Sequence, residues 1–581
     1  MPFPILALIL SVALPRAGDP VEDLALRSAA GERVSLHAGG PGVRATVLAF
    51  TGLDCPNAAV QLPRLVEIGA SYAEKGVRFL AVDPNFSDEP AAVLARAERV
   101  GQRFPTLMDP LHLLTDGLSV RETTEVFVLD AQHVVRYRGA VDDQYAVGAR
   151  KPEAERHYLR DALDAVLAGR SPEVEETDPQ GCVLGPAAHE GRESPFTTSR
   201  DVLPILYQNC VVCHRPGQVG PMSFLRTATV RNTAGMIAEV TGEGRMPPWY
   251  ADRRHGAFLG ERGLSDTEIK ILRRWAADGA PEGDPADAPP APTFDDEAWQ
   301  IGTPDLVASV EEPIELAATG VIPYAYRIID PGLDEDVWIS AIEIRPSNGR
   351  AAHHILAAAV PAHVTDEEAL DRDRWNDFFA GGYFAIYVPG ARPHVYPPGM
   401  AKKLKAGTRF LVEFHFTATG EPGTDRSRLA LRFADGPVEH AVQTAGIFGH
   451  RFRIPPGEAA YEVRVEQHFE RPIQLLTLFP HMHLRGRSFR FERVPLAVWM
   501  TGEGASEVLL DVPRYDPWWQ EFYRLADPVA IHPGDRLVLT AVFDNSDGNP
   551  NNPDPTAEVT WGWQEWEEMM AGYVDYVELE R

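Results

Sequence analysis

Cys210-Val-Val-Cys213-His214 places two thiols two residues apart with an imidazole directly after them. That spacing lets the thiols reach the two vinyl groups of a porphyrin while the histidine turns back onto the iron, which is how a chain holds covalent haem. A zinc site would want two more cysteines or histidines at short spacing, and none follow. Downstream, Arg245-Met246-Pro247-Pro248-Trp249 holds a methionine against rigid prolines, suited to the sixth position of the iron. A thioether opposite an imidazole raises the reduction potential, which suits an electron carrier. One haem c on Cys210, Cys213, His214 and Met246 is therefore expected, with Met222 as the rival axial ligand.

Histidines recur in the C-terminal half. His481 and His483 flank Met482, and residues i and i+2 of a strand share a face, so these two can bind one ion without distortion. His353 and His354 are adjacent and point to opposite faces of a regular strand, so sharing an ion requires a bulge or a strand end. His415 lies in Glu413-Phe-His-Phe-Thr417, and Met569 and Met570 stand beside Trp566 and Tyr573. Singly, each grouping has an ordinary explanation in packing. An imidazole set with a thioether suits copper, which cycles to soft Cu(I).

In order, His353-His354, His415, His481-x-His483 and Met569 resemble the copper type II, ascorbate-dependent monooxygenases, a family that includes the peptidylglycine and dopamine enzymes. The stretches 481–489, 543–546 and 566–569 look like its second-domain signatures. The resemblance covers about residues 294–581. It implies an electron-storing copper on His353, His354 and His415, and a catalytic copper on His481, His483 and Met569, with Met570 as the rival of Met569. Tyr573 falls where the peptidylglycine enzymes contact the substrate carboxylate, whereas Phe479 replaces their arginine, so an uncharged or apolar C–H substrate fits better than a peptidylglycine. The region has no cysteine, so the disulfides of the secreted animal enzymes are missing.

The elements that must position these groups fall into several domains, since 581 residues exceed what one core serves. Residues 1–18 read as a signal peptide, too short for a membrane span. Strands at 46–50, 77–82, 126–130 and 134–138, with helices at 62–75 and 153–167, make 19–172 an α/β domain. Its loop Phe50-Thr-Gly-Leu-Asp54-Cys55-Pro56-Asn57-Ala58 resembles the active-site loop of thioredoxin-like redoxins. Dithiol exchange needs a second thiol three residues on, where Ala58 stands, and the proline that faces the cysteine is replaced within Thr123-Thr124-Glu125. A one-cysteine or structural role is expected for Cys55, and Cys55 and Cys182 remain the possible redox thiols. A linker (173–195), an all-α cytochrome c-like domain (196–284) with a helix at 267–278 and a second linker (285–296) follow. Two all-β jelly-roll sandwich domains, 297–445 and 446–581, close the chain.

The formal charge of −29 argues against nucleic acid and anionic membrane surfaces and would suit a basic redox partner protein. The functional expectation is a periplasmic or secreted monooxygenase with one haem c and two coppers. It would use O₂ on a small-molecule or peptide C–H substrate, with the haem domain, ascorbate or another external reductant as electron source. A non-catalytic electron-transfer or copper-binding protein on the same scaffold is the alternative.

Overall fold

The computed structural model describes residues 17–579 apart from 41, 147–148, 152, 188–192, 372–373, 375–377 and 379–381. The expected leader thus falls almost wholly outside the described residues.

The N-terminal domain is a seven-stranded sheet in the order Arg33–Ser35, Ala25–Ser28, Thr106–Met108, Val77–Asp83, Ala45–Phe50, Val126–Asp130, Val135–Gly139. Ala45–Phe50 runs parallel to Val77–Asp83 and antiparallel to Val126–Asp130, and every residue of Ala45–Phe50 and Val126–Asp130 is buried. A strand covered on both faces reads as an apolar run, which is why these strands are visible in the sequence. The helix Pro56–Tyr72 opens with proline in its first turn and Cys55 as N-cap, six residues ahead of the expected start at 62. The next expected helix starts late, at Tyr158 rather than 153.

Part of the expected linker is not one. Residues 175–184 run back along this domain. The Arg138 N–H donates to Glu175 O, the Thr177 N–H donates to Arg138 O, and Glu122 bridges Val183. The polar residues that suggested a linker satisfy the exposed edge of the sheet, as the 2.7 Å contact between the Tyr137 and Thr177 hydroxyls illustrates.

In the middle region the helices Leu203–Asn209, Thr227–Asn232, Ala234–Gly242 and Asp266–Ala277 pack round the fully buried Trp275, whose indole donates to Thr198 Oγ1 at 3.1 Å. Ser265 and Glu268 close the capping box that starts the last helix.

The C-terminal region is all β. One sheet runs through it in the order Leu306–Ser309, Arg428–Phe433, Val337–Arg345, Met400–Leu404, His440–Phe448, Ala571–Glu578, Ile473–His481, Tyr523–Ile531. A four-stranded sheet containing Arg409–Phe416 and Ala352–Val360 covers the first half of it round Ile355, Phe414 and Leu431. Another, containing Gly486–Val494 and Arg536–Phe543, covers the second half round Phe489, Phe491 and Leu539. Met400–Leu404 pairs in parallel with His440–Phe448. The boundary expected at 445/446 therefore falls inside a strand that welds two sandwich cores together. A separate apolar cluster fills the seam, with Leu356, Val360 and Leu411 on one side and Phe479, Met569 and Tyr573 on the other.

Candidate functional site

The bulge that His353 and His354 require is present. Ala352–Val360 pairs with Arg409–Phe416, and the register slips between Ala352 and His354, which lies opposite His415. The slip turns both adjacent imidazoles to one side, their Nδ1 atoms 3.1 Å apart. One ligand atom from each of His353, His354 and His415 lies within 4.8 Å of the others. Burial, helped by His353, His481 and His483, holds His354 well below the usual imidazole range. A neutral ring keeps a lone pair for a metal, so no proton need be expelled at pH 7.

His481 ends the strand Ile473–His481, and its ring centroid lies 5.3 Å from that of His483. Burial pushes His481 down to about 4 and His483 down to about 3. His481 Nδ1 meets Gln520 Oε1 at 2.5 Å and His483 Nδ1 meets Glu567 O at 3.3 Å. Both rings are therefore held through Nδ1, which leaves Nε2 as the ligand atom. Glu568 ties the neighbouring backbone together: Oε2 accepts the N–H groups of His483 (3.1 Å) and Met569 (3.3 Å), and Oε1 accepts that of Arg485 (2.6 Å). Met569 lies in the seam cluster, whereas Met570 packs in the second sandwich core. Consecutive residues of an extended chain face opposite ways.

Phe479 pairs in register with Tyr573, whose buried ring lies 4.5 Å from Tyr383. One segment runs past every set. The Trp518 ring lies 5.9 Å from His353 and 6.1 Å from His415, Gln520 holds His481, and Phe522 stacks on Phe479 at 4.8 Å. Glu565 accepts the Tyr324 hydroxyl at 2.6 Å and lies 3.6 Å from His415 Nε2.

A cavity of ≈ 320 Å³ is lined by Cys210, Cys213 and His214, by Met222 and Met246, and on another side by Trp519 and Cys182. The N–H groups of Cys213 (3.1 Å) and His214 (2.9 Å) both donate to Cys210 O, which curls the motif so that both thiols face the cavity. Phe224 stacks on His214 at 4.5 Å, and a side chain on Gly220 would sit 2.8 Å from the imidazole. The loop carrying Met222 is thus wrapped over His214. Met246 arrives from the wall built by Ala234–Gly242, its N–H donating to Val240 O at 3.1 Å. Burial pushes His214 down to about 4.

In the N-terminal domain Cys55 is buried, and its sulfur accepts the Ala58 N–H at 3.4 Å. The possible redox thiols Cys55 and Cys182 fall in one region of the fold. Residues 175–184 fold back onto the domain and bring Cys182 close to the helix that Cys55 caps, so that the two thiols shift each other's titration.

Residues 443–580 match the model of the copper type II ascorbate-dependent monooxygenase, C-terminal domain. Residues 17–138 match the AhpC/TSA family. The chain is 28% identical to the thiol-disulfide oxidoreductase ResA of Halalkalibacterium halodurans over 149 residues, 24% of this chain and 81% of that protein. Among solved structures, an uncharacterized conserved protein from Geobacillus kaustophilus is 27% identical, covering 30% of this chain and 92% of that one with a TM-score of 0.26. Peroxidoxin BcpB of Mycobacterium tuberculosis is 16% identical, covering 26% and 95% with a TM-score of 0.21.

The chain thus joins a thioredoxin-like α/β domain to an all-β region ending in a copper monooxygenase C-terminal domain. Within that monooxygenase domain lie His481, His483, Met569 and Tyr573. Sequence reasoning missed Gln520, Trp518, Glu565 and Tyr324. Glu565 and Glu568 had a signal, as carboxylates crowded just before Met569; Gln520 and Trp518 had none. Among the described residues no helix is long and apolar enough to cross a membrane.

Proposed function

We propose that this chain is an exported copper-dependent monooxygenase that hydroxylates an uncharged C–H substrate, R–H + O₂ + 2e⁻ + 2H⁺ → R–OH + H₂O, with electrons entering through a haem c held by the same chain. The observation that carries this reading is the arrangement of two imidazole sets close to one seam, one of three histidines and one of two beside Met569, with His354, His481 and His483 held below the usual imidazole range. The donor types fit copper: His353, His354 and His415 would hold one ion, and His481, His483 and Met569 the other. Copper would supply dioxygen activation at the second set and electron storage at the first.

The chain's own groups do the rest. Gln520 and the Glu567 carbonyl fix the ring orientations, and Glu568 fixes the backbone that carries His483 and Met569. Phe479, Tyr383 and Tyr573 make an aromatic wall, and Lys402, which reaches the Tyr383 carbonyl, is already paired with Asp575, which favours an apolar substrate. The curled motif and its cavity fit a haem on Cys210, Cys213 and His214. Met246, on a wall other than the one wrapped over His214, would be the methionine that helps hold the haem, in preference to Met222. Trp519 on the cavity and Trp518 beside His353 and His415 join that cavity to the three-histidine set through adjacent residues. Haem attachment outside the cytoplasm places the protein in the periplasm or beyond, where ascorbate or a basic redox protein could reduce it.

Metal analysis with an absorption spectrum tests this. One haem and two coppers per chain are expected, and His481→Ala should remove one copper and leave the haem. A chain that loads zinc under copper-replete conditions, or that carries no covalent haem when matured with haem supplied, refutes the corresponding half of the proposal.

A further inference from the structure

The segment after the α/β domain is held against Cys55 by contacts on both sides of Cys182. The Thr123 N–H donates to Cys182 O at 3.0 Å, and the Cys182 N–H donates back to Thr123 Oγ1 at 3.2 Å. One residue earlier, the Gly181 N–H donates to Glu122 Oε2 at 2.8 Å, and Gln180 O accepts from Asn57 Nδ2 at 2.9 Å and Thr124 Oγ1 at 3.0 Å. Asn57 lies in the first turn of the helix that Cys55 caps, so this bond ties the segment directly to the cysteine's own helix. The approach is so close that a side chain on Gly181 would put Cβ 1.5 Å from Thr123 O, so only glycine fits. Six positions in three segments (Asn57, then Glu122, Thr123 and Thr124, then Gln180 and Gly181) are thus committed to holding Cys182 close to the helix that Cys55 caps.

We propose that Cys55 and Cys182 form a working dithiol–disulfide couple, with the resolving thiol supplied by the returning segment instead of the helix, and that its exchange partner is a low-molecular-weight disulfide. The partner is small because Cys55 is only 5% exposed, so the disulfide of a folded protein cannot reach its sulfur. In the exchange the Cys55 thiolate attacks one sulfur of R–S–S–R, forming Cys55–S–S–R and releasing RS⁻, which takes a proton. Cys182 then loses its proton and attacks Cys55 Sγ, closing Cys55–S–S–Cys182 and releasing the second RS⁻. Two electrons pass from the chain to the small disulfide, and two RSH leave. The two thiols are tuned for unequal parts. Cys55 is brought down to about 7, because hydrogen bonds from Cys182, Thr123 and the backbone outweigh its burial, whereas Cys182 is pushed up by its bond to Cys55 and by burial. The first is the nucleophile and the second the resolving thiol. The exchange draws no electron from copper or haem, although Cys182 lines the cavity assigned above to the haem.

The test equilibrates the full chain across glutathione redox buffers, quenches by alkylation and maps the peptides by mass spectrometry. The expected result is a Cys55–Cys182 cross-linked peptide that appears in a single two-electron transition, and Cys182→Ser should trap glutathione on Cys55. Insulin, whose disulfides cannot reach the buried Cys55 sulfur, should not be reduced. Both cysteines alkylated at every potential would overturn the proposal, as would Cys55 linked to Cys210 or Cys213. Insulin turnover at the rate seen with glutathione disulfide would overturn the choice of a small partner. The wild-type cross-link needs no variant, so a misfolded Cys182→Ser would not leave the question open.

Discussion

Replacing Gln520 by Leu isolates one interaction at the His481–His483 pair. Gln520 is buried, its Nε2 donates to Pro517 O at 3.3 Å, and that bond fixes which end of the amide faces His481. Oε1 therefore accepts from Nδ1–H at 2.5 Å, and the ring presents Nε2. Leucine keeps the volume but leaves a buried N–H without an acceptor, a cost of ~1–3 kcal/mol. At about 1.4 kcal/mol per decade this is ~5–150-fold in affinity, in line with the ~10–100-fold usual for losing a partner that orients a ligand. Titration with a chromogenic Cu(I) chelator should therefore show one site weakened ~10–100-fold. The three-histidine site should be unchanged, because Gln520 bonds none of its rings. Gln520→Glu, which keeps an acceptor in place, should bind like the parent. Equal weakening of both sites, or a change below ~3-fold at the weakened site, would refute the reasoning, since it would mean a loss of under ~1 kcal/mol.

Met569→His should retain copper and lose oxygen-dependent product formation. Met570→Leu should leave both intact, because Met570 fills the second core and a volume-conserving swap costs less than ~1.5 kcal/mol. Met246→Ala should abolish the thioether-to-ferric absorption band and lower the haem potential, whereas Met222→Ala should preserve the band. Glu568→Ala strands the N–H groups of His483, Arg485 and Met569, costing ~3–9 kcal/mol at ~1–3 for each donor, read as an earlier urea transition of the β region. Alkylation of Cys55 should rise with pH to half its plateau near pH 7, since the thiolate is the reactive form and its folded value lies below the ordinary 9.0. Cys182→Ala removes the strongest of the hydrogen bonds that stabilise the thiolate, so the midpoint should move to higher pH.

What the sequence discloses here follows the range of the interaction. Ala45–Phe50 is an apolar run because both its faces are covered, and Ser265 and Glu268 announce a helix because the cap is local. The bulge at His353 was legible as a requirement: two adjacent imidazoles on a strand can share an ion only if the register slips, and it does. Contacts made by loops across the fold left no such mark. Gln520 is thirty-nine residues from His481 and has no periodicity to betray it. Cys182 sits in a polar stretch that looks like a linker, since composition reports that a segment can be solvated and not that it is bound. Gly181 was the one local clue, and its meaning depends on Thr123, fifty-eight positions earlier by their numbers. The seam between the sandwiches was equally hidden, because a strand that leaves one sheet half and enters the next has the same alternation as one that does not. That continuity sets how far apart the two histidine sets can move. Met400–Leu404 and His440–Phe448 share backbone hydrogen bonds, so the two sandwiches cannot swing apart at this point without breaking the sheet. The chemistry must work with both sets held near one seam, and the groups that pass between them, Trp518 and Gln520, are the ones the fold has placed there.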